Sequence, residues 1–304
     1  MNLTALRYFV AVVEAGSMRE ASEGLHVAQS AISRQIQMLE RSLGTPLLTR
    51  MARGVEPTLA GQVLLRHARD SLAAIEHAKD DISALQGLRK GEVRIATIEP
   101  FATEVLADLL VRFRRRYPEI MFDVRVGHTR QVLGLVREGL ADVGIGYNPP
   151  FDPNLVVLHQ WNEPLIGFVT ADHPLGTRSS VNLRELLAYP LILPPSRSPT
   201  RQIIDEASRN AGLVLQIQME SDSVGLRLAI ARRTTGVALL ARLSGLASMQ
   251  RGLLTAVPID DPHLRIGTIA TVALRGRVRS RAALAFLRLL RFARPSEIDE
   301  GLPT

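Results

Sequence analysis

Apolar side chains at Leu65, Ala68, Leu72, Ile75 and Ile82 follow helical spacing and predict one long helix over residues 58–86. At about 1.5 Å per residue it would span roughly 40 Å, more than a single small domain can wrap. The chain is therefore expected to fold as separate bodies on either side of this helix. Its apolar stripe, interrupted at Lys79 beside Ala78, suits a coiled-coil-like contact with a second copy. The alternative is a long helix packed on its own domain. Gly87 and Gly91 bracket Leu88, Arg89 and Lys90 and suggest a hinge.

A length of 304 residues fits about two domains. Hydrophobic residues make up 46% and charged ones 22%, which excludes a wholly disordered chain. Uninterrupted apolar runs of about 18 residues are absent, so no transmembrane helix is expected. The stretch Leu3 to Val13 contains Arg7 and is followed by Glu14. It reads as an amphipathic helix, not a secretion signal. The chain has no cysteine, which excludes disulfides, thiolate-bound zinc and thiol catalysis and fits a cytoplasmic location. The net charge of +7 comes almost wholly from arginine, with Lys79 and Lys90 the only lysines. Residues 227–294 hold 13 arginines against Asp260 and Asp261, whereas residues 1–90 carry only 11 basic against 9 acidic side chains. Bulk charge therefore does not locate a nucleic-acid surface.

Beyond Glu92 strands and helices alternate. Strands are expected at Val93–Ile98, Ile120–Val126, Val143–Ile145, Leu165–Val169, Pro190–Leu193, Val214–Met219, Val237–Leu240 and Ile266–Ala273. Helices are expected at Thr103–Arg116, Gln131–Glu138, Thr200–Ala211, Ser223–Arg232 and Arg281–Ala293. The alternation predicts a parallel-rich α/β domain in two similar lobes.

The sharpest local signal lies in residues 17–44. Ser17 is placed to cap a short helix ending at Leu25, and a break at His26 to Ala28 leads into a second helix. In that helix Ile32, Ile36, Leu39 and Leu43 share one face, and Gln29, Ser30, Ser33, Arg34 and Gln37 the other. No carboxylate lies between Gly24 and Leu39. Amides, hydroxyls and one guanidinium without an anion suit the major groove of DNA, where Gln pairs with adenine and Arg with guanine. A merely solvated polar face is the plain alternative. The short preceding helix and the tight turn favour a helix-turn-helix.

These residues carry a family resemblance. Leu6, Phe9, Ala15-Gly16-Ser17, Ala21, Leu25, Gln29, Ala31, Ser33, Ile36, Leu39-Glu40, Leu43-Gly44, Leu47, Arg50, Thr58 and Gly61 together resemble the N-terminal domain of LysR-type transcriptional regulators. Gly91 to Ile95, Phe113 through Tyr117-Pro118, Gly139 to Asp142 and Thr235 to Ala238 resemble landmarks of that family's effector domain. Three departures stand out: Ala28-Gln29-Ser30 replaces Ser-Gln-Pro at the recognition helix, Ser22 replaces an alanine, and Leu48 replaces a wing phenylalanine. Losing the serine cap is expected to cost about 1 kcal/mol, unless Ser30 caps a shortened helix.

The resemblance implies a winged helix-turn-helix over 1–57, rich in α-helix, with Leu47 to Thr58 as the wing and Arg50 and Arg53 near phosphate or the minor groove. It implies a linker helix, hinge and dimer contact over 58–90. An α/β effector domain resembling periplasmic binding proteins would fill 91–304, with lobe I about 91–161 and 269–304 and lobe II about 162–268. Double-stranded promoter DNA, further copies of the chain as a dimer or dimer of dimers (a homotetramer), and RNA polymerase are the expected partners. No cofactor, metal or membrane partner is expected. The implied effector is a small polar metabolite, expected to be an organic anion, in the cleft between lobes. Residues near strand ends and helix starts are its expected contacts: Thr97, Glu99, His128, Thr129, Ser196, Ser198, Thr200, Arg201 and Ser223. Glu99 opposes an anion and favours an amine or hydroxyl. An enzyme is the poorer reading, because no Gly-x-Ser-x-Gly elbow, His-Glu-x-x-His helix or phosphate-binding loop is present. An exported solute receptor would leave 1–57 unexplained.

Overall fold

The computed structural model describes residues 2–51, 54–84, 91–264 and 267–291. The chain divides into two compact units, Met1–Lys90 with Gly276–Arg281 and Gly91–Arg275 with Ala282–Thr304. The expected hinge residues 87–90 and the side chain of Ile82 lie outside the described residues.

The N-terminal unit starts with α1 (Leu3–Ala15), capped by the Asn2 side chain, which accepts the Ala5 N–H at 2.7 Å. Helix α2 (Met18–Leu25) begins at Ser17, whose hydroxyl accepts the Glu20 N–H at 3.4 Å. His26 closes α2 in the left-handed conformation, and α3 (Gln29–Leu43) follows. Leu6, Phe9, Val12, Ala21, Ile32, Ile36 and Leu39 are buried between these helices, as their 3-4 spacing demands. Leu43, expected to extend that stripe, is instead 44% exposed, because α3 ends there and its last turn projects past the core.

Strands β1 (Leu48–Arg50) and β2 (Val55–Pro57) pair antiparallel as the wing. The Glu40 carboxylate accepts the N–H groups of Leu47 and Leu48 at 2.8 and 3.3 Å and ties the wing to α3. At Gly54, where φ is +92°, a Cβ would stand 2.3 Å from the Gly16 carbonyl oxygen. Only glycine permits that approach, which lets the Val55 N–H bond the same oxygen at 2.8 Å.

Helix α4 (Leu59–Ala84) runs 26 residues. Ala68 is buried, and Leu64, Leu65 and Leu72 pack against the cluster of Leu6, Phe9, Leu39 and Leu47. Arg69 adds an ion pair to Glu14 of α1 at 3.0 Å. Ala68 thus serves this domain's own core, and Leu65 and Leu72 pack on it while keeping part of their surface exposed.

The second unit holds two five-stranded sheets. In lobe I, β3 (Gly91–Thr97), β4 (Ile120–Val126), β5 (Val143–Tyr147), β6 (Leu155–Asn162) and β12 (Thr268–Leu274) take the order β4-β3-β5-β12-β6. In lobe II, β7 (Leu165–Val169), β8 (Leu191–Leu193), β9 (Ile217–Glu220), β10 (Val237–Ala241) and β11 (Thr255–Pro258) take the order β11-β7-β10-β8-β9. Each sheet has a parallel half, β4-β3-β5 and β9-β8-β10, joined to antiparallel strands. The sheets are therefore mixed, not simply parallel. The chain crosses between lobes at Glu163-Pro164 and again before β12.

Two strands escaped the sequence pattern. β11 ends in Pro258, which reads as a breaker but is tolerated at a sheet edge. β6 is an edge strand whose register shifts opposite Thr271 and Val272, so its alternation is broken. Val214, expected in a strand, is 84% exposed and precedes β9. The helix expected at Thr103 starts earlier: α5 (Glu99–Phe101) carries Pro100 in its first turn, then a π turn (Ala102–Leu106) leads into α6 (Ala107–Arg116). The remaining helices are α7 (Thr129–Arg137), α8 (Leu183–Leu187), α9 (Pro199–Asn210), α10 (Val224–Ala231), α11 (Leu246–Gln250) and α12 (Arg281–Leu290). Phe286 of α12 packs edge-on against Phe113 and Phe122.

Candidate functional site

In the N-terminal unit, the two faces of α3 separate cleanly. Ile32, Ile36 and Leu39 are buried, while Gln29, Ser30, Arg34 and Gln37 are exposed and Ser33 is half-exposed. All five expected groups therefore lie outside the core, on a helix whose first two turns carry no acid. Ala28 is the N-cap and makes no side-chain hydrogen bond. Ser30 lies within the helix and does not replace the missing cap. Arg50 ends β1 of the wing; its side chain and the whole of Arg53 lie outside the described residues.

In the second unit, strand ends and the helices that follow them enclose a cavity of about 630 Å³ between the lobes. Glu99, His128, Thr129, Ser198 and Thr200 line it. Four expected contacts do not. Thr97 is fully buried and donates to the Ile98 carbonyl at 3.3 Å, because it still belongs to β3 and points into the lobe. Ser196 is exposed outside the lining. Ser223 spends its hydroxyl capping α10, accepting the Leu226 N–H at 3.2 Å. Arg201 is buried behind the cleft, bonded to Asp205 at 2.7 Å, to Glu220 and to the Pro194 carbonyl.

Among the lining groups, Thr129 is committed to structure. Its hydroxyl bridges the backbone N–H and carbonyl of Tyr147, both at 3.1 Å, and so fixes the start of α7 against β5. Burial pushes the Tyr147 hydroxyl pKa upward, and that hydroxyl donates to the Glu163 carbonyl at 3.2 Å beside the interlobe crossing. Ser198 and Thr200 are half-buried at the start of α9, and no hydrogen bond engages their hydroxyls among the described residues. His128 of lobe I faces Asp222 of lobe II, Nε2 to Oδ2 at 3.7 Å.

Among the lining residues that sequence reading missed, Arg227 is the most buried charge. It lines the cavity, is only 5% exposed, and its Nε and Nη1 find no hydrogen-bond partner among the described residues. Burial pushes its pKa down to about 10, against the opposing pull of Asp222 and Glu99. A signal was present: within Val224-Gly-Leu-Arg-Leu-Ala-Ile-Ala231 the single charge shares a face with Leu228 and Ala231. Counting it among the arginine excess of residues 227–294 concealed that placement.

A winged helix-turn-helix followed by a two-lobed domain with a lined interlobe cleft defines a ligand-responsive DNA-binding regulator. Two family models match the chain: "Bacterial regulatory helix-turn-helix protein, lysR family" over residues 3–62 and "LysR substrate binding domain" over residues 86–293. The HTH-type transcriptional activator CmpR of Synechocystis sp. is 30% identical over 222 residues, 73% of each chain. A full-length OxyR variant of Pseudomonas aeruginosa superimposes with a TM-score of 0.76 at 22% identity, covering 97% of this chain and 96% of that one. Full-length CbnR complexed with its target DNA gives 0.63 at 24%, covering 96% and 99%. The chain belongs to the LysR family of transcriptional regulators, which bind DNA through the helix-turn-helix and an effector through the C-terminal domain, and are not enzymes. Among the described residues, no helix is long and apolar enough to cross a membrane.

Proposed function

We propose that this regulator acts in the cytoplasm, binds specific duplex promoter DNA as an oligomer of identical chains, and alters that binding when a small organic anion enters the interlobe cleft. The observation that carries the ligand class is the convergence of the N-termini of α7, α9 and α10 on one cavity. Their aligned dipoles, and the first turn of α9, which no side chain of its cap residue Ser198 closes, favour negative charge. Ser198 and Thr200 supply hydroxyls there, and no cofactor enters this reading.

Gln29, Ser30, Ser33, Arg34 and Gln37 would meet base edges and phosphates, with Arg50 and Arg53 of the wing at the flanking backbone. A dimer, or a dimer of dimers, would present two reading heads to dyad-related half-sites. The oligomer contact would lie on α4, where Leu72 and Ile75 keep partly exposed surface along the apolar stripe. RNA polymerase is the expected further partner on the promoter. The target-DNA complex of CbnR supports the DNA reading.

Mobility-shift titration on the DNA upstream of the chain's own gene tests the reading. Arg34→Ala should weaken specific binding by about 1–3 kcal/mol, as expected for a good base contact. No specific shift at any salt concentration refutes operator binding, and strictly monomeric behaviour in light scattering refutes the oligomer. For the cleft, Ser198→Ala combined with Thr200→Val should weaken any anion that changes the footprint. Unchanged affinity in that double variant places the effector elsewhere.

A further inference from the structure

Arg227 sits mid-helix in α10, on the side shared with Leu228 and Ala231, and is 95% buried while lining the cavity. Neither Nε nor Nη1 meets an acceptor among the described residues. Burying guanidinium donors that no protein acceptor meets carries a penalty. An entering acceptor removes that penalty. The same cavity is also lined by the apolar Val224, Leu240 and Leu243 and by the exposed Arg130 and Arg197. Glu99 and Asp222 also line the cavity, are exposed, and lie close enough to act on the Arg227 charge. These carboxylates repel a bare anion and accept from any donor brought in beside it.

Resting on the reading of the cleft as an effector site, we propose that the ligand is a small aliphatic carboxylic acid with a hydrogen-bond donor on the adjacent carbon, a 2-hydroxy or 2-amino acid. Its carboxylate accepts from the Arg227 guanidinium, which offers a forked donor geometry. Its hydroxyl or ammonium donates to Glu99 or Asp222. Its alkyl chain lies on Val224, Leu240 and Leu243. A ligand lacking the carboxylate leaves the buried Arg227 donors unmet, and this mismatch gives discrimination.

The test uses full-length protein, with thermal shift and titration calorimetry against four matched sets: short aliphatic 2-hydroxy acids, 2-amino acids, the unsubstituted acids and the amino-acid amides. One of the first two sets should bind at least about tenfold tighter than the unsubstituted acids and the amides, as expected for a charge-assisted hydrogen bond. Which of the two binds tells whether the donor is a hydroxyl or an ammonium. Arg227→Met should raise the melting temperature of the ligand-free protein and weaken the bound acid at least tenfold. Glu99→Gln should narrow the gap between substituted and unsubstituted acids. If Arg227→Met does not fold, Arg227→Lys, which keeps the charge and loses the fork, should still weaken binding.

Equal binding of amides and acids, an unchanged affinity in the Arg227 variant that folds, or no response to any set overturns the assignment. A metabolite of another class that binds the wild type, is lost in the cleft-filling variant Ser198→Trp and ignores Arg227→Met overturns it too, while leaving the effector cleft standing. A functional effector that binds Ser198→Trp with unchanged affinity instead overturns the cleft reading itself.

Discussion

Ala28→Ser should stabilise the recognition helix. Helices α1, α2, α8 and α10 open on Asn2, Ser17, Asn182 and Ser223, whose side chains accept first-turn N–H groups at 2.7, 3.4, 2.9 and 3.2 Å. Helix α3 opens on Ala28, whose φ of −64° and ψ of 135° already suit a capping serine; among the described residues no side chain meets its first-turn donors, and the Ala31 N–H turns to the Ala28 carbonyl at 2.9 Å. Exchanging alanine for serine at such a position contributes about 1 kcal/mol, within a range of about 0.5–2. For a unit of this size that corresponds to about 4–8 °C in melting temperature. Hydrogen exchange on the intact protein gives the local reading. Amides in the first turn of α3 should exchange about fivefold more slowly, while those of the second unit are unchanged. Ala28→Gly should recover most of the effect, because glycine at an N-cap is only a few tenths of a kcal/mol poorer than serine. Equal or faster exchange in the serine variant refutes the reasoning and means that the first-turn donors are satisfied by water at no cost.

Other outcomes follow from the same coordinates. Gly54→Ala should cost at least about 1–3 kcal/mol, from its positive φ and the clash with the Gly16 oxygen, in the denaturant transition of the N-terminal unit; a neutral result means that the wing lifts freely from α1. Leu72→Asp should destabilise the N-terminal unit itself, seen as lost helicity in circular dichroism, whereas a folded monomer would assign Leu72 to the intermolecular seam alone. Asp142→Ala removes a carboxylate that is 3% exposed and bonds Arg94 through Nη2 at 2.7 Å and the backbone N–H at 3.0 Å. A loss of about 2–3 kcal/mol in the second unit is expected, since Arg94 retains partial access to water. Burial holds the Glu163 carboxyl above its ordinary pKa, so its contribution to stability is full at low pH and is lost as pH rises through the folded value. Glu163→Gln keeps an acceptor for the Leu243 N–H, so its stability relative to wild type should increase as pH rises from below the ordinary carboxyl value to neutrality; calorimetric melting showing the opposite trend contradicts this sign.

Much of the architecture was written in local pattern. The caps at Ser17 and Ser223, the stripe of Ile32, Ile36 and Leu39, and the polar face of α3 all follow from side chains within a few residues of one another. Helical spacing determines which groups share a face, so the polar face proposed to read DNA was legible without any knowledge of its surroundings. The motif order was equally local, and it sufficed to indicate the family. What lay beyond reach depended on distant partners. Spacing along α4 states that Leu65, Ala68 and Leu72 lie together, but not whether they cover Phe9 of the same chain or a second copy. A proline in β11 reads as a breaker until the strand is seen at a sheet edge.

The effector cleft divides in the same way. That ligand groups would come from strand ends and helix starts is a property of α/β folding, and Ser198 and Thr200 were placed by it. Whether a given polar residue faces the cavity is decided by what else competes for its hydrogen bonds. Asp205, one turn further along α9, and Glu220, which comes close only after folding, take that guanidinium out of play. No acceptor arrives for Nε or Nη1 of Arg227, so the second arginine is left with unmet donors at the cavity wall. Both are arginines on helices of the same lobe, and sequence favours the first because it stands nearer a turn. Only the tertiary structure, by deciding which charges are neutralised internally, separates the arginine that holds the fold from the one that can hold a ligand.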